Sequence, residues 1–483
     1  MREHQEHAMS APASTPDDVA ALYALQRTAF SQERYPSHEV RRDRLDRLAS
    51  LIDRHEPEIV AAVAEDFGVR PPQETRLTEL FVVDVALRHA SRHLANWMRS
   101  RRVPTPLYLR PGRSWIERQP LGVVGIISPW NYPVQLALLP AVAALAAGNR
   151  ALIKPSEITP STSALLAALV ARYFSPGELA VVSGGAAVGA AFARQPFDHL
   201  FFTGSTQVGR SIALAAAESL TPVTLELGGK SPALIHANAN LAALSARLAI
   251  GKLLNAGQTC IAPDYALIPG QRAEALVQAL RHAVARLYPA PIDNGDYASI
   301  VDQRHHSRLI ALLDDARARG ARVIELGAAD GSTTGGTRRM PPTLVLDVSD
   351  AMAVMQQEIF GPILPIETYA TLDQAIERIN ARPRPLAMYM FGGSTIERRR
   401  VLEHTIAGGV TLDDTLWHFS NENLPFGGVG ASGYGAYHGE RGFLTFSHQK
   451  PVFAQSRAAP GRLLYPPYGE RFEATLRLLK RIV

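Results

Sequence analysis

The chain has 483 residues, of which 46% are hydrophobic and 20% are charged, and its formal net charge at pH 7 is +5. This composition excludes intrinsic disorder and a collagen-like repeat, and the length suggests about three structural units. Cys260 is the single cysteine, which excludes an internal disulfide and a multi-cysteine zinc site, so we expect no metal. The arginines are scattered and no stretch of 18 residues is uniformly apolar, so we expect neither a nucleic-acid partner nor an integral membrane span.

The two ends of the chain are predicted to differ from its middle. Residues 1–17 are polar and rich in proline, alanine and serine, which predicts a flexible tail. They lack the apolar core of a signal peptide, so we expect a cytoplasmic protein. Apolar residues then recur at helical spacing over 40–67 and 77–98, which predicts two long helices. At the other end, residues 457–483 are predicted to form a tail that carries an amphipathic basic helix.

Between these ends, short apolar runs alternate with helical patterns. The first series has predicted strands at 123–128, 151–154, 179–182, 199–203 and 223–227, and predicted helices at 134–147, 161–174 and 205–220. This alternation predicts a parallel, doubly wound sheet. A second α/β series starts near Ser231 and continues to about Val410. Residues 103–120 are proline-rich with short alternating pieces, which predicts a hairpin outside the main sheet.

Two residues stand out as candidates for chemistry. Cys260 closes the polar turn Asn255-Ala256-Gly257-Gln258-Thr259. A lone cysteine is most often a small buried apolar residue, but a cysteine in a polar turn, with its amide directed into a pocket, is suited to be a nucleophile. Glu226 ends an otherwise apolar strand, where a carboxylate is costly to bury. Either it pairs with Lys230, or it is a base with a raised pKa.

Three loops are candidates for binding. Asn131, in Ser128-Pro129-Trp130-Asn131-Tyr132-Pro133, follows the first predicted buried strand, and its side chain either donates to an oxyanion or caps a turn. Phe202-Thr203-Gly204-Ser205 leads from a strand into a helix, where backbone N–H groups favour a pyrophosphate. The GxGxxG pattern at 428–433 lies outside any strand–helix unit, so we interpret it as a tight loop against the active site and not as a dinucleotide site.

Taken in order, these motifs carry a family resemblance. The chain resembles the aldehyde dehydrogenase superfamily over residues 20–455. The matching motifs are Pro129-Trp130-Asn131-Tyr132-Pro133, Lys154-Pro155-Ser156-Glu157, Phe202-Thr203-Gly204-Ser205, Glu226-Leu227-Gly228-Gly229-Lys230-Ser231-Pro232, Gly257-Gln258-Thr259-Cys260, Glu358-Ile359-Phe360-Gly361-Pro362 and Leu424-Pro425-Phe426-Gly427-Gly428. Residues 262–265 and 435–439 are similar to the class 3 branch, and residues 417–448 and 464–483 are similar to the bacterial coniferyl aldehyde dehydrogenases.

The resemblance implies an α/β fold with a Rossmann-like cofactor domain, a catalytic α/β domain and a small β bridging arm. We assign the cofactor domain to 18–102 and 121–229, and the catalytic domain to 230–424. The active-site loop region is 425–445, and the arm is 103–120 with 446–456. Because such an arm normally drives dimerisation in the family, the resemblance also implies a homodimer.

The resemblance further implies roles for individual residues. Cys260 would attack an aldehyde carbonyl and form a thiohemiacetal and then a thioester. Asn131 and the backbone N–H of Cys260 would hold the oxyanion, and Glu226 would deprotonate the water that hydrolyses the thioester. The cofactor is expected to be NAD or NADP. The residues implied at the cofactor are Lys154, Glu157, Gly204, Ser205, Gly209, Glu358 and Phe360.

The substrate is expected to be a small-molecule aldehyde. Tyr132, Trp417 and Phe419 are predicted to line its pocket, and an aromatic lining suits an aryl or cinnamyl aldehyde such as coniferaldehyde. Alternatively, Trp417 and Phe419 pack the loop and the substrate is a medium- or long-chain aliphatic aldehyde. Two further alternatives are a CoA-acylating dehydrogenase, which generally lacks a base at the position of Glu226, and a catalytically silent binding or scaffold protein.

Overall fold

The computed structural model describes residues 14–327, 338–458 and 460–482. In these ranges the helices are α1 (Pro16–Gln32), α2 (His38–Arg54), α3 (Glu56–Phe67), α4 (Pro72–Thr75), α5 (Val82–Trp97), α6 (Gln135–Ala146), α7 (Pro160–Tyr173), α8 (Ala186–Ala193), α9 (Thr206–Ala217), α10 (Leu241–Leu253), α11 (Ala273–Leu287), α12 (Gln303–Ala318), α13 (Ala353–Gln356), α14 (Leu372–Asn380), α15 (Thr395–His404), α16 (Gly439–Thr445) and α17 (Glu470–Ile482). A π-helical segment, Arg76–Phe81, joins α4 to α5. No helix of the described ranges is both long and apolar enough to cross a membrane.

The strands of the same ranges form three sheets. In chain order they are β1 (Arg101–Val103), β2 (Arg113–Pro120), β3 (Val123–Ile127), β4 (Arg150–Lys154), β5 (Leu179–Val181), β6 (His199–Thr203), β7 (Val223–Glu226), β8 (Pro232–Ile235), β9 (Tyr265–Pro269), β10 (Arg322–Glu325), β11 (Thr343–Leu346), β12 (Ile363–Tyr369), β13 (Ala387–Phe391), β14 (Gly409–Leu412), β15 (Gly433–Tyr434) and β16 (Ser447–Ala454). The six-stranded sheet has the order β15-β7-β6-β3-β4-β5, and the seven-stranded sheet has the order β10-β11-β12-β9-β8-β13-β14. Both are parallel except at one edge strand, β15 and β10 respectively, so the predicted α/β fold is confirmed.

The six-stranded sheet brings the ends of its central strands to one edge. Every residue of β3, β4 and β6 is buried, as expected for parallel strands with helices on both faces. Thr203 at the end of β6 is paired in register with Glu226 at the end of β7. Ligands of parallel α/β sheets bind outside the carboxyl ends of the strands. The candidate residues Asn131, Lys154, Gly204 and Glu226 therefore belong to one edge of this sheet.

Helix α6 lies in the interior of the molecule. It is apolar on all sides, contains Pro140, and leaves no residue exposed. It contacts α5, α16 and β4. Leu136 N–H already donates to Tyr132 O at 3.0 Å, so the turn that carries Asn131 leads directly into the helix. Burial of α6 thereby fixes the position of Asn131.

The third sheet is antiparallel, with the order β1-β2-β16. β2 and β16 pair over eight residues each, from Ser447 opposite Pro120 to Ala454 opposite Arg113. Most of β16 is exposed. The sheet begins at Arg101, two residues before the boundary predicted for the arm. Helix α17 contacts the 3-10 turn Leu107–Leu109 beside this sheet.

Several local predictions are corrected by the structure. The predicted tail ends too late, because α1 begins at Pro16 with a capping box in which Thr15 and Asp18 bond each other's backbone N–H groups; residues 1–13 lie outside the described part. The predicted helix over 40–67 is two helices, because the chain breaks at His55 and Pro57 lies in the first turn of α3, where its missing N–H is harmless. Helix α8 is not among the predicted elements.

The glycine-rich loop at 428–433 turns tightly against β7. Gly433 pairs with Glu226 as the first residue of β15. Its φ is +124°, and a Cβ there would come within 1.9 Å of Leu225 O. Only glycine fits such a position. The loop thus packs against the strand that carries Glu226, which agrees with the interpretation of this pattern as a loop against the site.

Candidate active site

The loop that carries Cys260 is held in an unusual backbone conformation. Asn255, Ala256 and Gly257 have positive φ values of 52°, 52° and 77°. A Cβ on Gly257 would come within 2.3 Å of Gly361 O. A side chain at this position would therefore push the loop away from the segment that contains Glu358. Conformations of this kind cost energy and persist where the surrounding structure holds them.

Cys260 opens onto a cavity of about 360 Å³ that Glu226 also lines. Burial, together with the carboxylates of Glu358 and Glu226, raises the pKa of the thiol to about 12, although the backbone N–H groups of Cys260 and Ile261 favour the thiolate. The thiol is therefore protonated at neutral pH in the free protein. A nucleophilic role requires a base or a cation close to the sulfur.

Glu226 is buried without a partner. Its side chain is 2% exposed, and in the described part of the chain neither carboxylate oxygen has a hydrogen-bond partner. Burial raises its pKa well above the ordinary value. The alternative that it pairs with Lys230 is wrong, because Lys230 Nζ donates to Asp264 Oδ2 and to Val354 O. A carboxyl group in this environment is suited to accept a proton near neutral pH.

Asn131 lies directly against the cysteine loop. Asn131 Nδ2 donates to Gln258 O at 3.0 Å, and the backbone carbonyl oxygen of Asn131 accepts a hydrogen bond from Asn255 Nδ2 at 2.9 Å. A side-chain amide has two N–H donors, so one remains for another acceptor beside Cys260. The structure thus brings together the three residues predicted to be catalytic.

A buried arginine, which the sequence did not reveal, supports this arrangement. Arg70 Nη1 donates to Asn131 O at 3.0 Å and to Asn255 Oδ1 at 2.8 Å. Glu74 and Glu79 lie 3.8 Å and 3.6 Å from its guanidinium nitrogens. Glu79 in turn accepts the backbone N–H groups at the start of α6. Arg70 therefore ties the turn of Asn131 to the cysteine loop.

Replacing Arg70 with methionine is expected to lower the free energy of unfolding by about 3 kcal/mol, because two buried carboxyl groups lose their cation, Asn255 Oδ1 loses its donor and Asn131 O loses one of its two donors. Urea unfolding measures the change. The matched control is Arg42→Met, which removes an exposed ion pair of 3.0 Å with Asp46 and is expected to cost no more than about 1 kcal/mol. Equal destabilisation by the two variants would contradict the role of the buried network.

The residues implied at the adenosine end of the cofactor lie at the ends of β4 and β6. Lys154 Nζ donates to Glu157 Oε2 at 2.7 Å. Gly204 N–H donates to Glu226 O at 3.0 Å, and Ser205 Oγ caps α9 by accepting from Val208 N–H. Gly209 is buried where α9 packs on the sheet, and a Cβ there would come within 2.7 Å of Leu227. The structure therefore places Gly209 at a packing contact. Ser205 caps the start of α9, and Lys154 and Glu157 form an ion pair at the end of β4.

The residues implied at the nicotinamide lie on the segment that follows α13. The Glu358 carboxylate lies against Gly228, whose Cβ would be 2.2 Å away. Burial and the nearby Asp264 raise the pKa of Glu358 to about 7, against the opposing effects of Gly229 N–H, Lys230 and Arg308. The ring of Phe360 meets Trp130 edge to face at 5.4 Å between centroids.

A buried ion pair ties this segment to the cysteine loop. Asp264 Oδ2 accepts from Lys230, and Asp264 Oδ1 accepts from Ile359 N–H at 2.8 Å. Asp264 follows Cys260 by four residues, and Ile359 follows Glu358 directly. The sequence alone did not suggest this connection, because the role of Asp264 depends on contacts 34 and 95 residues away.

The cavity at Cys260 is mostly apolar along its walls. Tyr132, Trp417 and Phe419 all line it, as predicted from the sequence. Tyr132 hydroxyl is 2.6 Å from Thr259 Oγ1, and Phe419 packs edge to face on Phe426. Trp417 is 65% exposed and stands at the opening. Phe419 therefore both lines the cavity and packs the loop, so the two predicted roles do not exclude each other.

Comparison with known proteins identifies the family of this chain. A model of the aldehyde dehydrogenase family matches residues 2–452. The chain belongs to this family. It is 47% identical over 444 residues to the coniferyl aldehyde dehydrogenase of Pseudomonas sp. strain HR199, covering 91% of this chain and 92% of the relative.

Solved structures of aldehyde dehydrogenases have the same fold. Staphylococcus aureus AldH in a substrate-bound state matches with a TM-score of 0.90 and 38% identity, over 95% of this chain and 99% of that one. The Mycobacterium tuberculosis aldehyde dehydrogenase in complex with NAD+ matches with a TM-score of 0.82 and 30% identity, over 92% and 91%. This aldehyde dehydrogenase is therefore an oxidoreductase that acts on aldehydes with a nicotinamide cofactor.

Proposed function

We propose that this enzyme oxidises aryl aldehydes, and in particular cinnamyl aldehydes such as coniferaldehyde, to the carboxylic acid. The observation that carries the proposal is the cavity in front of Cys260, which is lined by Tyr132, Trp417, Phe419 and Phe426. Flat aromatic substrates gain both burial and ring contacts in such a cavity. The similarity to a coniferyl aldehyde dehydrogenase supports the same substrate class.

The residues present fit a nicotinamide cofactor. Lys154 and Glu157 offer a cation and a carboxylate at the end of β4, Ser205 caps the twelve-residue helix α9, and the Glu358 carboxylate lies against Gly228. We propose that these groups hold the adenosine ribose, the pyrophosphate and the nicotinamide ribose respectively. When bound, this cofactor would supply the hydride acceptor for the carbon attached to Cys260.

The first step of the proposed mechanism forms a bond between Cys260 and the aldehyde carbon. The thiol proton passes to the unpaired carboxylate of Glu226, which lines the same cavity. The carbonyl oxygen becomes an oxyanion, held by Asn131 Nδ2–H and by the backbone N–H of Cys260. The product of this step is a thiohemiacetal, which becomes a thioester once the hydride has left.

The second step is hydrolysis of the thioester. Glu226 first releases to solvent the proton that it took from the thiol. It then takes a proton from a water molecule, the hydroxide attacks the thioester carbon, and the bond to the sulfur breaks. The acid leaves, and Cys260 returns to the thiol form by taking the proton from Glu226. The presence of Glu226 favours hydrolysis over the CoA-acylating alternative. An enzyme that transfers its acyl group to CoA does not need a base that deprotonates water. Product analysis with and without CoA distinguishes the two.

Absorbance of NADH measures the proposed function directly. Purified enzyme is assayed in parallel with coniferaldehyde, benzaldehyde and a medium-chain alkanal. A higher kcat/KM for coniferaldehyde is the expected result. A preference for the alkanal would support the aliphatic alternative, and no turnover of any aldehyde would support the scaffold alternative.

We also propose that NAD is preferred over NADP. Burial opposes the ionisation of Glu157, but the hydrogen bonds from Lys154 and from its own backbone N–H, together with the charges of Lys154 and Arg304, lower its pKa below the ordinary value. An ionised carboxylate at the adenosine ribose repels a 2′-phosphate. Glu157→Gln is therefore expected to raise the ratio of kcat/KM for NADP to that for NAD by about tenfold, equal to roughly 1.4 kcal/mol. An unchanged ratio in steady-state assays would contradict this placement of Glu157.

We propose that the enzyme acts as a cytoplasmic homodimer. The proposal is supported by β16, an edge strand of eight residues that is mostly exposed in the single chain. Long exposed edge strands are ready to pair with another chain. Light scattering of the purified protein is expected to give the mass of two chains, and a monomer would contradict the proposal. Cell fractionation tests the compartment.

A further inference from the structure

The cavity in front of Cys260 contains a second buried carboxyl group, which the proposed mechanism does not use. Glu422 is 8% exposed and lines this cavity. Phe419, Phe426 and Tyr437 line the same cavity. Burying a carboxyl group in such surroundings is costly unless its oxygens are bonded, so the contacts of Glu422 are informative.

Only one oxygen of Glu422 is bonded within the described chain. Oε2 accepts a hydrogen bond from Gly439 N–H at 3.0 Å. Oε1 is 4.0 Å from His438 Nδ1, which is too long for a hydrogen bond. Burial also lowers the pKa of His438 to about 3, so its ring is neutral and offers no charge to Glu422. One carboxyl oxygen is therefore left for a ligand of the cavity.

Glu422 lies between two cavities. It lines both the cavity in front of Cys260 and a small cavity bounded by Leu139 and Ala143 of α6. In an extended 4-hydroxycinnamaldehyde, the aldehyde carbon and the ring hydroxyl are about 8 Å apart by ordinary bond lengths. A substrate whose aldehyde carbon lies at Cys260 therefore extends its ring hydroxyl well into the cavity that Glu422 lines.

A third carboxylate at this cavity is differently placed. Asp414 lies 3.7 Å from Arg247 Nε, and both side chains are partly exposed to solvent at the opening. Its charge is therefore compensated without a ligand. Glu422 differs because it is buried and lacks a cationic partner in the described chain.

We propose that Glu422 accepts a hydrogen bond from a ring hydroxyl of the substrate and so selects hydroxylated aryl aldehydes over unsubstituted ones. This inference rests on the proposed function, since it requires an aryl aldehyde bound at Cys260. A buried polar group that loses its partner disfavours binding of the analogue without the hydroxyl. The selectivity comes both from the bond gained and from the desolvated carboxyl left unpaired.

The test compares 4-hydroxycinnamaldehyde with cinnamaldehyde in the wild type and in Glu422→Leu. The wild type is expected to have a higher kcat/KM for the hydroxylated substrate. In Glu422→Leu the ratio of the two kcat/KM values is expected to fall by about 10- to 100-fold, the range of a hydrogen bond to a charged group. Glu422→Gln keeps an acceptor and the bond from Gly439, and is expected to lie between them. Glu440→Gln makes the same change at an exposed carboxylate that pairs with Arg118, and should leave the ratio unchanged.

The ratio separates recognition from structural damage. Loss of the bond from Gly439 N–H in the leucine variant would slow both substrates equally, and an unchanged ratio would overturn the proposal. If the wild type oxidises both aryl aldehydes without preferring the hydroxylated one, the inference fails and the proposed function stands. If it oxidises neither, the proposed function itself fails.

Discussion

Replacing Cys260 with alanine is expected to lower the rate of aldehyde oxidation by at least about 10³-fold, because no other thiol is present in the chain to form the covalent intermediate. NADH absorbance measures the loss. Binding of NAD, followed by quenching of protein fluorescence, is expected to remain, since the cofactor residues lie on other segments. A variant that retained turnover would contradict the role of Cys260 as nucleophile.

The single cysteine also gives this prediction an internal control. An alkylating reagent is expected to add to the wild type once, at Cys260, and to Cys260→Ala not at all. Because burial raises the pKa of the thiol to about 12, alkylation of the free enzyme is expected to be slow at pH 7 and faster at higher pH. Saturating aldehyde should protect the wild type.

Replacing Glu226 with glutamine is expected to lower the steady-state rate by about 10²- to 10⁴-fold, the usual contribution of a general base. The shape of the side chain is kept, so any effect comes from the lost proton acceptor. Stopped-flow measurement should show no fast burst of NADH before the slow phase, because the proposed mechanism also uses Glu226 to accept the thiol proton. An unchanged steady-state rate would contradict its role as base.

The pH profile provides a second test of Glu226. Its pKa is raised well above the ordinary value by burial, and the base acts only in the ionised form. In the wild type, kcat is therefore expected to rise as pH increases through this raised pKa and then to level off. In Glu226→Gln the rising limb should disappear. A profile that is the same in both proteins would assign the limb to another group.

Much of the fold could be predicted from the sequence because the local signals agree. The strands of the six-stranded sheet are short apolar runs that end at polar or glycine residues, and both the α/β class and the parallel pairing follow from their alternation with helices. Glu226 could be recognised for the same reason, since a charge at the end of a buried strand conflicts with its surroundings. The start of α1 also has a local signal. Thr15 and Asp18 form a capping box, which marks a helix that begins at Pro16, inside the predicted tail.

The supporting residues could not be predicted because their partners are far away in the chain. Arg70 contacts Asn131 and Asn255, 61 and 185 residues later. In the sequence it precedes two prolines and resembles any arginine of a surface loop. The surroundings of Glu422 likewise depend on distant residues. It shares a small cavity with Leu139 and accepts a hydrogen bond from Gly439 N–H, and no spacing in the sequence predicts either contact. The residues proposed to be catalytic could be recognised in the sequence, whereas the network of contacts around them required the structure.

The most direct test of the mechanism is the mass of the peptide that contains Cys260. The wild type is mixed with NAD and coniferaldehyde, quenched in acid during the first turnover and digested. We expect this peptide to gain the mass of the acyl group of the corresponding acid, at up to one acyl group per chain. A burst of NADH with the Cys260 peptide unmodified would contradict a thioester at this residue.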